Sequence, residues 1–357
     1  MTSAIRTDAE ILGASQGMRF QWRFAEGAIY TGWGRAETLQ FVDAMTPRSL
    51  LLLSLTALVA FPLKPAARLA AATNVQPSFT SEVDVVSLNV TVTDSANRYI
   101  TDLSDQDFEV YEDGIKQDLT LFNRSNLPVA LSLLIDTSSS MEERIATAQS
   151  AAVAFLQKLR PSDLGEVISF DNRVQVLQKF TGNAPALEKA IRSTAAHGST
   201  ALYNAIYIAL KELKSLPTRH EDEMPRQAIV LFTDGEDTSS LVTFDEVLDL
   251  AHRSDTAIYP IGLVSNDPNP PRSVREATYA LRQLANETGG RSFFPNDIRA
   301  LGAAYGQIYN ELSSRYTIGY TPKTVRHDGA WHRLLVRVAR PNVAARAKQG
   351  YFAPASK

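Results

Sequence analysis

The sequence contains no cysteine, which excludes disulfides, thiolate metal sites and cysteine nucleophiles together. It also lacks a basic surplus: 36 Lys and Arg stand against 39 Asp and Glu, for a net charge of -3. A nucleic-acid-binding chain normally carries a basic stripe or excess, so no nucleic-acid partner is expected. There is no G-x-x-x-x-G-K-[ST] phosphate loop and no G-x-S-x-G nucleophile elbow, which removes two common routes to catalysis. Histidines at 197, 220, 252, 327 and 332 show no H-E-x-x-H or other ligand spacing, so each is expected to be structural or exposed. Internal repeats and low-complexity tracts are absent. The apolar run inside residues 45–63 is about a dozen residues long and is interrupted by Pro62, short for a membrane span.

What remains is an ordinary globular composition, 44% hydrophobic and 21% charged over 357 residues, enough for one large domain or two ordinary ones. "MTPRSLLLLSLTALVAFPL" (45–63), followed by "AARLAAA" (66–72), has a basic start, an apolar core and a small-residue end. That is the layout of a signal peptide. Residues 45–72 are therefore read as a signal peptide, and 1–44 as an over-extended start carrying little tertiary structure. The protein is expected to be exported, to the periplasm or beyond, with membrane contact only where the segment is left uncleaved.

Beyond residue 80 the pattern divides in three. "VSLNVTVT" (86–93) alternates with period two, and "FEVYEDGIKQDLTLF" (108–122) reads as two strands joined at Asp113-Gly114, a favoured hairpin dipeptide. Residues 80–127 thus form a β-rich flank. From 128 to 313, apolar runs "VALSLLID" (129–136), "EVISFD" (166–171), "AIVLFTD" (228–234) and "AIYPIGL" (257–263) alternate with helical patterns over 141–159, 201–216, 273–288 and 298–313. Continuous apolar strands alternating with amphipathic helices indicate an α/β fold, a doubly wound, mostly parallel sheet covered on both faces. Residues 314–355 return to strand-like alternation. Neither flank is long enough for a stable core alone, so the two are expected to pack together, with the α/β domain inserted between them.

In a doubly wound sheet, ligands bind beyond the carboxyl ends of the strands. Asp136 ends one strand in "LLIDTSSSM" and Asp234 another in "LFTDGED", while "HGSTALYNA" (197–205) opens a helix towards the same edge. Asp136, Ser138, Ser140, Thr200 and Asp234 together offer two carboxylates and three hydroxyls. Hard oxygens suit Mg²⁺, Mn²⁺ or Ca²⁺ and disfavour zinc and copper; the hydroxyl-rich set leans towards Mg²⁺. Mg²⁺ takes about six oxygens, which leaves a position for water or an incoming carboxylate. The plainer reading makes Ser138–Ser140 a helix cap, supported by Glu142 or Glu143. Asp171 is read as a turn residue, and Glu236 and Asp237 as solvated loop charges.

"DTSSSM", "GSTALYNAI" and "LFTDGED", in that order, resemble the metal-site loops of the von Willebrand factor type A (VWA) domain. The resemblance implies that Ser138, Ser140 and Thr200 are hydroxyl ligands and that Asp136 and Asp234 bind the metal directly or through water. The family often has Gly-Gly-Thr where this chain has Gly198-Ser199-Thr200, and Ser199 adds bulk beside the metal. "FEVYEDGIKQDLTLF" and "YTIGYTP…GYFAP" resemble the flanks of a VWFA-related family of exported bacterial proteins, known mainly from Acidobacteria. This implies a metal-ion-dependent adhesion module, not an enzyme, whose ion bridges to a carboxylate on a partner protein. An envelope scaffold with a purely structural metal needs the same residues. A Mg²⁺-dependent phosphotransfer enzyme of the Asp-x-Asp type is disfavoured by Ser138 in the second position. N-terminal sequencing of the exported protein should find a terminus following residue 72; one upstream of Met45 would overturn the signal-peptide reading.

Overall fold

The computed structural model describes residues 19–23 and 29–33 by their backbone, and residues 85–355 apart from 125–126, 218–224, 235, 264–268 and 325–326. The chain divides into two units, Met1–Pro77 and Ser78–Lys357. In the first, β1 (Arg19–Arg23) and β2 (Ile29–Trp33) pair antiparallel, inside the stretch expected to lack structure. The expected signal segment, 45–72, lies outside the described residues. Among the described residues no helix is long and apolar enough to cross a membrane.

The second unit begins with β3 (Val86–Asp94), β4 (Phe108–Glu112), β5 (Ile115–Gln117) and β6 (Leu119–Asn123). The α/β domain follows with β7 (Val129–Asp136), α1 (Ile145–Leu156), β8 (Leu164–Phe170), β9 (Val174–Thr181), α2 (Ala184–Arg192), α3 (Leu202–Lys214), β10 (Arg226–Thr233), α4 (Phe244–His252), β11 (Ala257–Gly262), α5 (Arg272–Glu287) and α6 (Leu301–Ser313). The chain closes with β12 (Tyr316–Tyr320), β13 (Trp331–Val338), β14 (Val343–Arg346) and β15 (Gly350–Phe352).

The central sheet has the order β11-β10-β7-β8-β9, parallel throughout except for the antiparallel edge strand β9. Every residue of β7 is buried. Strand side chains alternate between faces, so Val129, Leu131, Leu133 and Ile135 meet Ala148, Phe155 and Ile308 of α1 and α6, while Ala130 and Leu134 meet Ile206, Leu210 and Val247 of α3 and α4. A strand covered on both faces must be apolar at nearly every position, which explains "VALSLLI", where Ser132 alone is polar. The sequence pattern does not anticipate β9, α2 or α4. β9 is a half-exposed edge strand, and the helices are short, each held by its own start: Asn183 caps α2 and a Thr243–Glu246 capping box opens α4.

The flanks form two antiparallel sheets, β14-β3-β12-β6 and β15-β13-β4-β5. The carboxyl-terminal strand β12 lies between β3 and β6, and β13 pairs with β4. Leu88, Val90, Phe108, Val110, Tyr316, Ile318 and Tyr320 fill the core between them. The expected hairpin turns at Asp113 (φ 48) and Gly114 (φ 84), the left-handed pair that suits a tight turn. Its second strand is divided, because β5 stays beside β4 while β6 crosses to the other sheet.

Glu166 of β8 is a buried carboxyl inside this scaffold. Ser132 Oγ donates to its Oε2 at 2.7 Å, while Oε1 has no partner. Burial raises its pKa to about 7, opposed by the Ser132 hydrogen bond. The folded state therefore binds a proton more tightly than the unfolded chain does, and stability is lost as pH rises from the ordinary carboxyl range through about 7. Glu166→Gln should match the parent near pH 5 and exceed it by on the order of 2 kcal/mol at pH 8, read by denaturant unfolding at both values.

Candidate metal centre at the carboxyl edge of the sheet

β7 delivers Asp136 to the sheet edge with no exposed surface. Its carboxylate is held from two sides: the Ser138 amide donates to Oδ1 at 2.8 Å and Thr233 Oγ1 to Oδ2 at 2.6 Å. Burial raises the Asp136 pKa to about 6 against these hydrogen bonds, and the neighbouring Asp234 pushes in the same direction as burial. A buried carboxylate short of full compensation is a natural partner for a cation.

The serines do not cap a helix. Ser139–Met141 form a short 3₁₀ turn whose leading residue, Ser138, makes no side-chain cap, and α1 starts later, after Arg144. The helix expected from Met141 therefore begins a turn downstream. Ser138 Oγ lies 3.0 Å from Ser140 Oγ, and Ser140 Oγ donates to Asp234 Oδ1 at 2.8 Å. Asp136, Ser138, Ser140 and Asp234 thus form one connected set of oxygens across two strand ends. Arg144 pairs with the other oxygen of Asp234 and reaches the Ser140 carbonyl at 3.3 Å.

Thr200 enters from a third loop. That loop is tied to the first by the His197 amide on the Thr137 carbonyl (2.7 Å) and the Ser139 amide on the Gly198 carbonyl (3.0 Å). Gly198 takes φ +75, where a side chain would be strained. Thr200 is buried, and its backbone is clamped by Thr238, whose Oγ1 accepts from the Thr200 amide at 2.9 Å. The structure thus links Asp136, Ser138, Ser140 and Asp234 directly, and fixes Thr200 through its backbone.

Several supporting residues escape a sequence reading. Asp171 is no mere turn residue: it is buried, pairs with His197 at 2.9 Å and accepts the Ala201 amide through its carbonyl at 2.6 Å. Asp237 is half-buried and accepts from Ser240 Oγ and the Tyr203 amide, so it organises the third loop instead of standing in solvent. Thr233 could have been suspected from its place before Asp234; Arg144 carries no signal in the sequence.

Hydroxyls and carboxylates thus converge on the carboxyl edge of the mostly parallel sheet of a three-layer α/β domain. A family model described as the von Willebrand factor type A domain matches residues 131–236, and the inserted domain of this chain is a VWA domain. An uncharacterized protein of Synechocystis sp. is 33% identical over 113 residues, 31% of this chain and 26% of that protein. A UPF0353 protein of Mycobacterium marinum is 28% identical over 233 residues, 58% of this chain and 66% of that protein. The chain therefore spans about a quarter and just under two thirds of these relatives. Among solved structures, the vWF domain of the type V pili tip protein Mfa5 from Porphyromonas gingivalis is 15% identical with a TM-score of 0.44, covering 52% of this chain and 95% of that one. A von Willebrand factor type A protein from Catenulispora acidiphila is 11% identical with a TM-score of 0.45, covering 77% and 76%.

Thr233→Val keeps the shape of the side chain but withdraws a donor from a buried carboxylate. It should destabilise the protein by about 1–3 kcal/mol, with the larger loss at pH 8, where Asp136 is ionised, than at pH 5. Denaturant unfolding at the two values measures both.

Proposed function

We propose that this chain is a protein-binding module of an exported bacterial protein, dependent on a divalent cation held by Asp136, Ser138, Ser140, Thr200 and Asp234. The observation that carries the reading is the connected set of side-chain oxygens at the sheet edge, in which serine hydroxyls bond to each other and to Asp234 and none caps a helix. The donor set fits the ion: two carboxylates match a divalent charge, neutral hydroxyls add oxygens without charge, and Mg²⁺ is the favoured occupant. A bound cation would supply an electrophilic centre for a carboxylate on the partner protein. Asp136 and Asp234 would hold the charge, and the hydroxyls of Ser138, Ser140 and Thr200 would complete the protein's share of the shell. Arg144 competes with the cation for Asp234, since one oxygen of that carboxylate is already paired.

A neighbouring surface feature suits a protein partner. Leu241 is 92% exposed on the loop that follows Asp234, and that loop is held by Asn204 Oδ1, which accepts the Leu241 and Val242 amides at 3.1 Å. No catalysis is proposed; the residues at the edge bind and orient.

The test is thermal unfolding with EDTA, Mg²⁺, Mn²⁺ and Ca²⁺, beside Asp136→Ala. A cation at about 100 times its dissociation constant should add roughly 2.7 kcal/mol, seen as a raised midpoint that disappears in the variant. No shift with any ion in the parent protein would remove the metal-dependent mechanism.

A further inference from the structure

A second group of ligating side chains stands away from the sheet edge, in the β-rich module. The end of β4 and the turn after it place Glu112 and Asp113 beside His332 of β13. Glu112, Asp113 and His332 offer one ligand atom each, all within 4.8 Å of one another. His332 Nδ1 lies 2.8 Å from Asp113 Oδ2 and 3.7 Å from Glu112 Oε1. Donors around a tetrahedral ion with bonds near 2.0 Å stand about 3.3 Å apart, between those two values. We propose that Glu112, Asp113 and His332 form a second metal site, for a transition-metal dication of the zinc type.

The surroundings of each ligand fit that assignment. Glu112 spends its other oxygen on the hydroxyls of Tyr320 (2.6 Å) and Tyr351 (3.3 Å), which both donate to it. Asp113 spends Oδ1 on the Arg333 amide at 2.9 Å, which leaves Oδ2 facing the imidazole. The imidazole is 2% exposed, and its far nitrogen, Nε2, is buried without a hydrogen-bond partner. Asp328 Oδ1 lies 3.7 Å from that nitrogen. A histidine that binds metal through Nδ1 carries its proton on Nε2 and commonly offers it to a carboxylate; Asp328 stands where that carboxylate belongs.

The chemistry differs from that of the sheet edge. One imidazole and two carboxylates select zinc or a neighbouring transition metal over Mg²⁺ and Ca²⁺, and two carboxylates with a neutral imidazole balance a divalent charge. Asp113 is 38% exposed, giving the ion and its water ligands a way in. The sequence hides the site because Glu112 and Asp113 are adjacent while His332 lies some 220 residues on, so no spacing motif exists.

Isothermal titration of the whole chain with Zn²⁺ tests the proposal, alongside Asp113→Asn, Asp328→Asn and Asp136→Ala. Asparagine tolerates the left-handed backbone at 113, and its amide oxygen still accepts from the Arg333 amide, so the turn is retained. The parent should bind zinc tightly, Asp136→Ala should bind it equally well, and Asp113→Asn should show no measurable binding. Asp328→Asn, an outer partner that touches no ion, should weaken binding about 10–100-fold while unfolding like the parent in EDTA. Zinc binding that is absent in the parent, or unchanged in both Asp113→Asn and Asp328→Asn, or lost only in Asp136→Ala, overturns the site. These outcomes do not depend on the Mg²⁺ reading of the sheet edge, which fails or stands on its own titration.

Discussion

A carboxylate with no exposed surface, Asp136, ends a strand that is itself buried on both faces. Everything at the functional edge is arranged around that constraint. An ionised group in such a place must be compensated, and the protein answers with the Ser138 amide and the Thr233 hydroxyl. Ser138 lies just past the end of β7, and Thr233 is the last residue of the neighbouring strand β10. The apolar β7 thus serves stability along its length and presents a buried carboxylate at its end, whose pKa burial raises to about 6. The two remaining loops converge on the same point because backbone hydrogen bonds from residues 197–201 tie them to it.

The insertion of the α/β domain between its flanks depends on a second buried charge. Glu311, near the end of α6, is fully buried and accepts from Tyr259 Oη at 2.9 Å, with the Arg315 and Arg346 guanidiniums beside it. Burial opposes its ionisation, but the two guanidiniums hold its pKa below the ordinary value. Tyr259 belongs to the parallel sheet, Arg346 to the β-rich module, and Thr91 of β3 reaches the same carboxylate at 3.4 Å. One side chain therefore joins both layers of the second unit. Removing a partner from such a network is costly because it leaves a charge uncompensated, which makes this junction specific to the observed docking.

Much of the architecture was readable in the chain because it rests on local patterns. Doubly covered strands must be apolar throughout, so β7, β10 and β11 announce themselves, and Asp113-Gly114 names its turn. The elements that escaped were those whose existence is decided by neighbours. β9 is an edge strand with polar positions, and α2 and α4 are too short to display a period, although Asn183 and the Thr243–Glu246 pair mark their starts. The division of the expected hairpin into β5 and β6 follows from a change of sheet that no local pattern encodes.

The sequence by itself determined which residues could act at the sheet edge: strand-end aspartates, alternating serines and a threonine at a helix start are fixed by chain position and need no partner to be recognised. Only the tertiary structure decided what those residues are doing. It turned the serines from a helix cap into a chain of hydroxyls leading to Asp234, and it brought Arg144 onto that carboxylate. It raised Asp171 from a turn residue to a buried anchor, and it gathered Glu112, Asp113 and His332 from opposite ends of the second unit. The reason is physical: strand ends are set by local periodicity, whereas the partners of a buried polar atom are chosen by whichever distant segment the folded core places within hydrogen-bond reach.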